Sequence, residues 1–124
     1  MKRAFMEAII KNSAEAVTFY QKAFSAKLTA DYRNEDGSCA HVELDIYGQT
    51  LALMELQDDV VVGNTMMFAL HFEAGEEDFV RKAHDVLKED AKIISELGPC
   101  LYSPLETDLI DKFGVRWCIF MSKE

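Results

Sequence analysis

Apolar and polar positions along the chain follow two periodicities, and these alternate in the same order twice. Residues 3–10 are mostly apolar and β-compatible until Lys11-Asn12-Ser13 interrupts them. Over residues 13–25, Ala16, Val17, Tyr20, Ala23 and Phe24 recur at steps of three and four, the spacing of a helix with one apolar face. Asn12 and Glu15 have capping-box spacing, with Asn in the place of Ser or Thr. Residues 27–33 alternate like a strand and end at the turn Asn34-Glu35-Asp36-Gly37. Residues 39–47 alternate strictly, with Ala40, Val42, Leu44 and Ile46 on one side and His41, Glu43 and Asp45 on the other. Gly48-Gln49 makes a tight connection to a further strand at 50–56. The first half reads β-α-β-β-β.

Residues 57–64 form the expected linker, after which the order begins again. A strand is predicted at 66–72. Glu76, Glu77 and Asp78 place negative charge in the first turn of a helix whose apolar stripe is Phe79, Val80, Ala83, Val86 and Leu87. His84 lies beside Arg81 and Lys88 on the side expected to face solvent. A strand at 92–97 is broken by Gly98-Pro99, and residues 101–110 are extended. Asp111-Lys112-Phe113-Gly114 then turns the chain into a last strand at 115–121. The two halves share little side-chain identity but repeat their elements at an offset of about sixty residues, a duplication signature. The expected fold is α+β: two βαβββ modules, residues 3–57 and 66–122 joined across 58–65, forming a curved mixed sheet around a cavity in a single domain. A larger α/β sandwich needs a longer chain.

Composition narrows what such a domain does. A chain of 124 residues with 49% apolar and 28% charged residues is ordinary for one globular core. Its formal charge of -9, from 22 acidic and 13 basic residues, repels phosphate backbones and anionic lipid, and no Lys/Arg cluster offsets that locally. Neither nucleic acid nor a membrane surface is therefore an expected partner. No apolar run approaches the roughly 20 residues of a membrane span, and the basic-then-apolar opening is too short for a signal-peptide core. Cys39, Cys100 and Cys118 lack CxxC spacing and read as free thiols, which places the protein in the cytoplasm.

Three segments resemble the vicinal oxygen chelate superfamily of glyoxalase I, extradiol dioxygenases and bleomycin-resistance proteins, and its PhnB-like branch in particular. They are Ala16-Val17-Thr18-Phe19-Tyr20-Gln21-Lys22-Ala23-Phe24, His41-Val42-Glu43-Leu44 and Asp111-Lys112-Phe113-Gly114-Val115-Arg116-Trp117. The resemblance implies paired βαβββ modules, a homodimer and a small-molecule cavity. In metal-binding members, His or Glu ligands come from the first and last strands of each module. Here those positions fall on Phe5, near Met67, near Cys118 and on Glu55, or Met54 if the register slips by one residue. This donor set is too poor in hard ligands for a catalytic ion, so no metal and no other cofactor is expected. The segment between Pro104 and Asp111 is also shorter than the aromatic- and Gly-rich stretch that PhnB-like members carry near the cavity mouth.

If those family positions face the cavity, Phe5, Glu7 and Ile9 face it from the first strand. Met67, Ala69, His71 and Glu73 do so from the fifth, and Arg116, Cys118 and Phe120 from the eighth. His41, Glu43 and Asp45 join them from the third. Polar groups thus sort onto one side, as a wet cavity requires. Each has competing readings. His41 with Glu43 is a ligand or acid–base pair, or a solvated strand face; His71 with Glu73 repeats the spacing and could build a new metal site with them. Glu55 is a general base or the partner of Arg116. Cys118 is a nucleophile if Arg116 lowers its pKa, or an inert buried thiol. The cavity candidates are His41, Glu43, Glu55, His71, Arg116, Cys118 and Glu7. The leading expectation is metal-independent binding of a small organic molecule. The alternatives are a lyase or isomerase with a general base or rebuilt metal site, and a folded relic whose role is association alone.

Overall fold

The structure is a computed structural model that describes residues 1–59 and 63–124. The chain divides into two compact units, Met1–Val60 and Val61–Glu124. Part of the expected linker, residues 60–62, lies outside the described residues.

The first unit contains β1 (Met6–Ile10), α1 (Ser13–Phe24), β2 (Lys27–Arg33), β3 (Cys39–Ile46) and β4 (Gln49–Glu55). Its sheet has the order β1-β4-β3-β2, with β1 parallel to β4 and the other pairs antiparallel. Residues 46 to 49 form a two-residue hairpin: Tyr47 and Gly48 both take positive φ, 51° and 87°, which matches the sheet's right-handed twist. The helix lays Ala16, Val17, Tyr20, Ala23 and Phe24 against a floor of Val42, Leu44, Ile46, Leu51 and Leu53, all at most 4% exposed. Burying each of the larger side chains here contributes about 1.5–3 kcal/mol.

The expected capping box does not form. Asn12 sits in the left-handed region at φ 59° and its side chain caps nothing. The Asn12 and Ser13 amides donate instead to a carboxylate on β4, as described below.

The second unit repeats the plan with β5 (Phe68–Phe72), α2 (Glu77–Leu87), β6 (Lys92–Cys100), β7 (Ser103–Ile110) and β8 (Arg116–Met121), in the order β5-β8-β7-β6. Here β5 and β8 are parallel and Val80, Ala83 and Leu87 of α2 are buried. Two expectations are corrected here. Gly98-Pro99 does not end β6: the ladder to β7 runs through Gly98 and Cys100 with register shifts on either side, so Pro99, which has no amide to donate, is passed over in a bulge. The turn falls instead at Leu101-Tyr102. His84 is not solvent-exposed: its side chain is 13% accessible, and burial pushes its pKa down.

Candidate functional site

Strand parity leaves each sheet one face without a helix, and the polar residues gather there. In the first sheet, Glu7 of β1 and Glu43 of β3 both pair with Ala52 of the strand between them. Adjacent strands lie about 4.8 Å apart, so the two carboxylates start about 10 Å from each other, over a residue with no side chain beyond Cβ. The His41 imidazole bridges that gap. Its Nδ1 lies 3.0 Å from Glu7 Oε1 and its Nε2 2.8 Å from Glu43 Oε2. Arg3, from the irregular segment ahead of β1, donates Nη1 and Nη2 to the two oxygens of Glu43 at 2.6 and 2.8 Å. The guanidinium stands 4.5 Å from the Phe5 ring centroid, and Phe5 in turn meets His41 edge-on at 6.2 Å. The result is a linear series, Glu7–His41–Glu43–Arg3, closed over by one aromatic ring.

Electrostatics follow from this order. Glu43 is 7% exposed, and a carboxylate so covered needs partners for its charge. The Arg3 guanidinium, and after it His41, hold it down to about 2, so Glu43 is ionised and occupied near neutrality. An imidazole carrying both ring protons donates to both flanking carboxylates, whereas the neutral ring donates to only one.

Glu55 does not belong to this group. It lies on the helix side of β4, where Oε1 accepts from the Ser13 amide and hydroxyl at 2.9 and 2.7 Å and Oε2 from the Asn12 amide at 3.2 Å. It is the N-terminal cap of α1. Burial pushes its pKa up, but those donors outweigh it and the net shift is downward. The reading of Glu55 as the partner of Arg116 is therefore corrected, and with it the reading as a raised general base. Arg116 itself donates Nε and Nη2 to Asp108 at 3.0 and 2.8 Å and Nη1 to the Asn64 carbonyl at 3.1 Å.

The helix-free face of the second sheet holds His71, Cys118, Arg116, Glu106 and Asp108. His71 stacks on Phe120, with centroids 4.3 Å apart, and its Nε2 lies 2.7 Å from Ser122 Oγ. Cys118 Sγ lies 3.7 Å from Glu106 Oε2 and 3.8 Å from the Tyr102 hydroxyl. Glu106 also accepts from Ser95 Oγ at 2.9 Å. Burial drives the Cys118 thiol pKa up, which corrects the idea that Arg116 activates it: that guanidinium is spent on Asp108, and the thiol's neighbours include a carboxylate.

Sequence reasoning missed Arg3, although the parity that put Phe5, Glu7 and Ile9 on the cavity side extends to it, and Tyr102, which sits in the turn. It also missed Glu106 and Asp108, although period-two alternation along β7 would have placed both beside Cys118.

The metal positions implied by the family resemblance can now be read from the strands. Parity puts Met54, not Glu55, on the helix-free face of β4 beside Ala52. The set is then Phe5, Met54, Met67 and Cys118: an aromatic ring, two thioethers and a thiol with raised pKa. Such donors do not fit a hard divalent ion. Among the described residues, no group of at least three His, Cys, Asp or Glu is arranged to hold one.

Two sheets of this build, each with its first strand parallel to its last, define a known class, and residues 4–119 match its family description. The chain belongs to the glyoxalase/bleomycin resistance protein/dioxygenase superfamily. Among solved structures it is similar to a PhnB protein from Bacillus cereus, described as a putative 3-demethylubiquinone-9 3-methyltransferase. That likeness has 20% identity and a TM-score of 0.82, covering 98% of this chain and 100% of the other. A protein from Pseudomonas aeruginosa matches at 14% identity and TM-score 0.77 over the whole of both chains. The fosfomycin resistance protein FosX from Listeria monocytogenes, solved with Mn(II) and 1S,2S-dihydroxypropylphosphonic acid, matches at 15% identity and TM-score 0.70, covering 97% of this chain and 92% of the other. At these identities the likenesses establish the fold. No curated protein matches the chain. Among the described residues, no helix is long and apolar enough to cross a membrane.

Proposed function

We propose that this chain is a metal-independent member of its superfamily that binds a small organic molecule in a sheet-lined cavity, with a homodimer as its working form. The observation that carries this reading is the replacement of hard ligands by Phe5, Met54, Met67 and Cys118, while His41 spends both ring nitrogens on Glu7 and Glu43. A residue set of this kind supplies aromatic and thioether surface with a few placed charges, which is how small-molecule sites combine affinity with orientation. Taken sheet by sheet, the residues proposed for ligand contact are Glu7, His41 and Glu43 on the first, and His71, Arg116 and Cys118 on the second. Glu55 is left out, because it caps α1.

Elemental analysis of the purified protein, paired with chelator-treated thermal melts and a ligand panel, tests the reading. Substoichiometric metal, melts indifferent to chelator, and a rise in Tm with one class of organic compound are expected. A compound at about a hundred times its Kd adds about 2.7 kcal/mol. One Zn, Ni, Mn or Fe per chain, with a melt that falls on chelation, overturns it in favour of a metal-dependent lyase or isomerase.

A further inference from the structure

The Arg3 guanidinium is seated as a ligand would be. It makes a two-pronged contact with Glu43, at 2.6 and 2.8 Å, and its Cζ stands over the Phe5 ring, 4.5 Å from the centroid. The first contact is recognition of a cation by charge-assisted hydrogen bonds from the sheet; the aromatic face belongs to Phe5, on the same irregular segment as Arg3. The receiving side belongs to the sheet: Glu43 lies on β3, braced by His41, with Glu7 across the small residue Ala52. The donated side does not. Arg3 comes from residues 1–5, which have no regular secondary structure, and its side chain is 43% exposed against 9% for Glu43. A fixed, covered carboxylate is thus filled by a group on an irregular segment. Glu7 holds a second carboxylate on the far side of His41, on a chain of net charge -9.

We propose that the Glu43 carboxylate, with Glu7 beyond His41, is a binding site for an organic cation of the amidinium or guanidinium class, and that Arg3 is its tethered occupant in the ligand-free protein. An incoming cation displaces Arg3 from Glu43 and takes over the same pair of oxygens. The segment ahead of β1 then acts as a strap that competes for its own site. Such a strap lowers the apparent affinity by the fraction of time it leaves the site open. This inference rests on the small-molecule-binding reading above and names the ligand class.

The test uses benzamidine and its neutral isostere benzamide, with binding followed by amide chemical shifts of Glu43, His41 and Ala52 in the full chain. Benzamidine is expected to bind wild type weakly and Arg3→Ala about tenfold more tightly, since removing a competitor frees the site. Binding is expected to vanish in Glu43→Gln and weaken in Glu7→Gln, an exposed substitution that leaves the fold intact by circular dichroism and so keeps the test alive if Glu43→Gln misfolds. Benzamide is expected not to bind. Equal binding of benzamide and benzamidine, or no gain in Arg3→Ala, overturns the cation site. If neutral aromatic compounds bind while benzamidine does not, this inference fails and the broader binding reading stands. If no compound of the panel binds wild type or Arg3→Ala, both fail.

Discussion

His41 Nε2 stands 2.8 Å from Glu43 Oε2, and that oxygen also accepts from Arg3 Nη2. Two charged or chargeable groups thereby converge on one carboxylate that is almost wholly covered. Loss of either partner leaves Glu43 under-compensated, and a buried carboxylate in that condition is costly.

The acid response of the fold follows from this convergence. Arg3 first, and then His41, lower Glu43 to about 2 from the ordinary 4.5. A carboxyl lowered in the folded state stabilises that state above its unfolded value, and the contribution is lost as pH falls from about 4.5 through about 2. A carbon-detected titration of the Glu43 carboxyl is expected to show a midpoint near 2, moving upward in Arg3→Ala. A wild-type midpoint in the ordinary carboxylate range contradicts the ion pair.

Ser13, fully buried, donates its hydroxyl to Glu55 and accepts from the Cys39 amide at 2.9 Å, so one side chain ties α1 to both β3 and β4. Ser13→Ala is expected to cost about 1–3 kcal/mol in urea denaturation, since it strands a buried amide. Combined with Glu55→Ala, the losses should sum to less than their separate values, because the two residues share one network. Strict additivity would show that Glu55 does not cap the helix through Ser13.

Trp117, the chain's single tryptophan, donates Nε1–H to Asp111 Oδ2 at 2.8 Å in a fully buried position. Asp111 Oδ1 also accepts the amides of Phe113 and Val115, which shapes the turn into β8. Asp111→Ala is expected to destabilise by about 1–3 kcal/mol and to red-shift the tryptophan emission, with Asp111→Asn milder because it keeps an acceptor. Unchanged emission in Asp111→Ala would sink this account.

The thiols should separate by accessibility. Cys100 is partly exposed, Cys39 and Cys118 are buried, and burial raises the pKa of Cys118. With a chromogenic disulfide at neutral pH, Cys100 is expected to react first and the other two only on unfolding. Rapid labelling of Cys118 in the folded protein would revive it as a nucleophile.

Much of the architecture was legible because it is written in periodicity. Strict alternation at 39–46 and the stripe Ala16, Val17, Tyr20, Ala23 and Phe24 each belong to one period, and β3 and α1 follow them. Pro99 misled because proline removes an amide without removing the chance of a bulge. The site was legible only where it lies on strands. Parity gave Glu7, His41 and Glu43 a common face, but it could not show that Arg3, on the irregular segment ahead of β1, reaches Glu43 on β3. Glu55 misled because a one-residue register difference moves a side chain to the opposite face. Its partners, the amides at the start of α1, are set by the left-handed backbone of Asn12.

Among the described residues, the ladders β1-β4-β3-β2 and β5-β8-β7-β6 share no strand, and each half joins its own first and last strands in parallel. Severing the backbone between the halves would therefore take no rung from either ladder. As two separately encoded peptides, each half would still carry every strand of its own ladder.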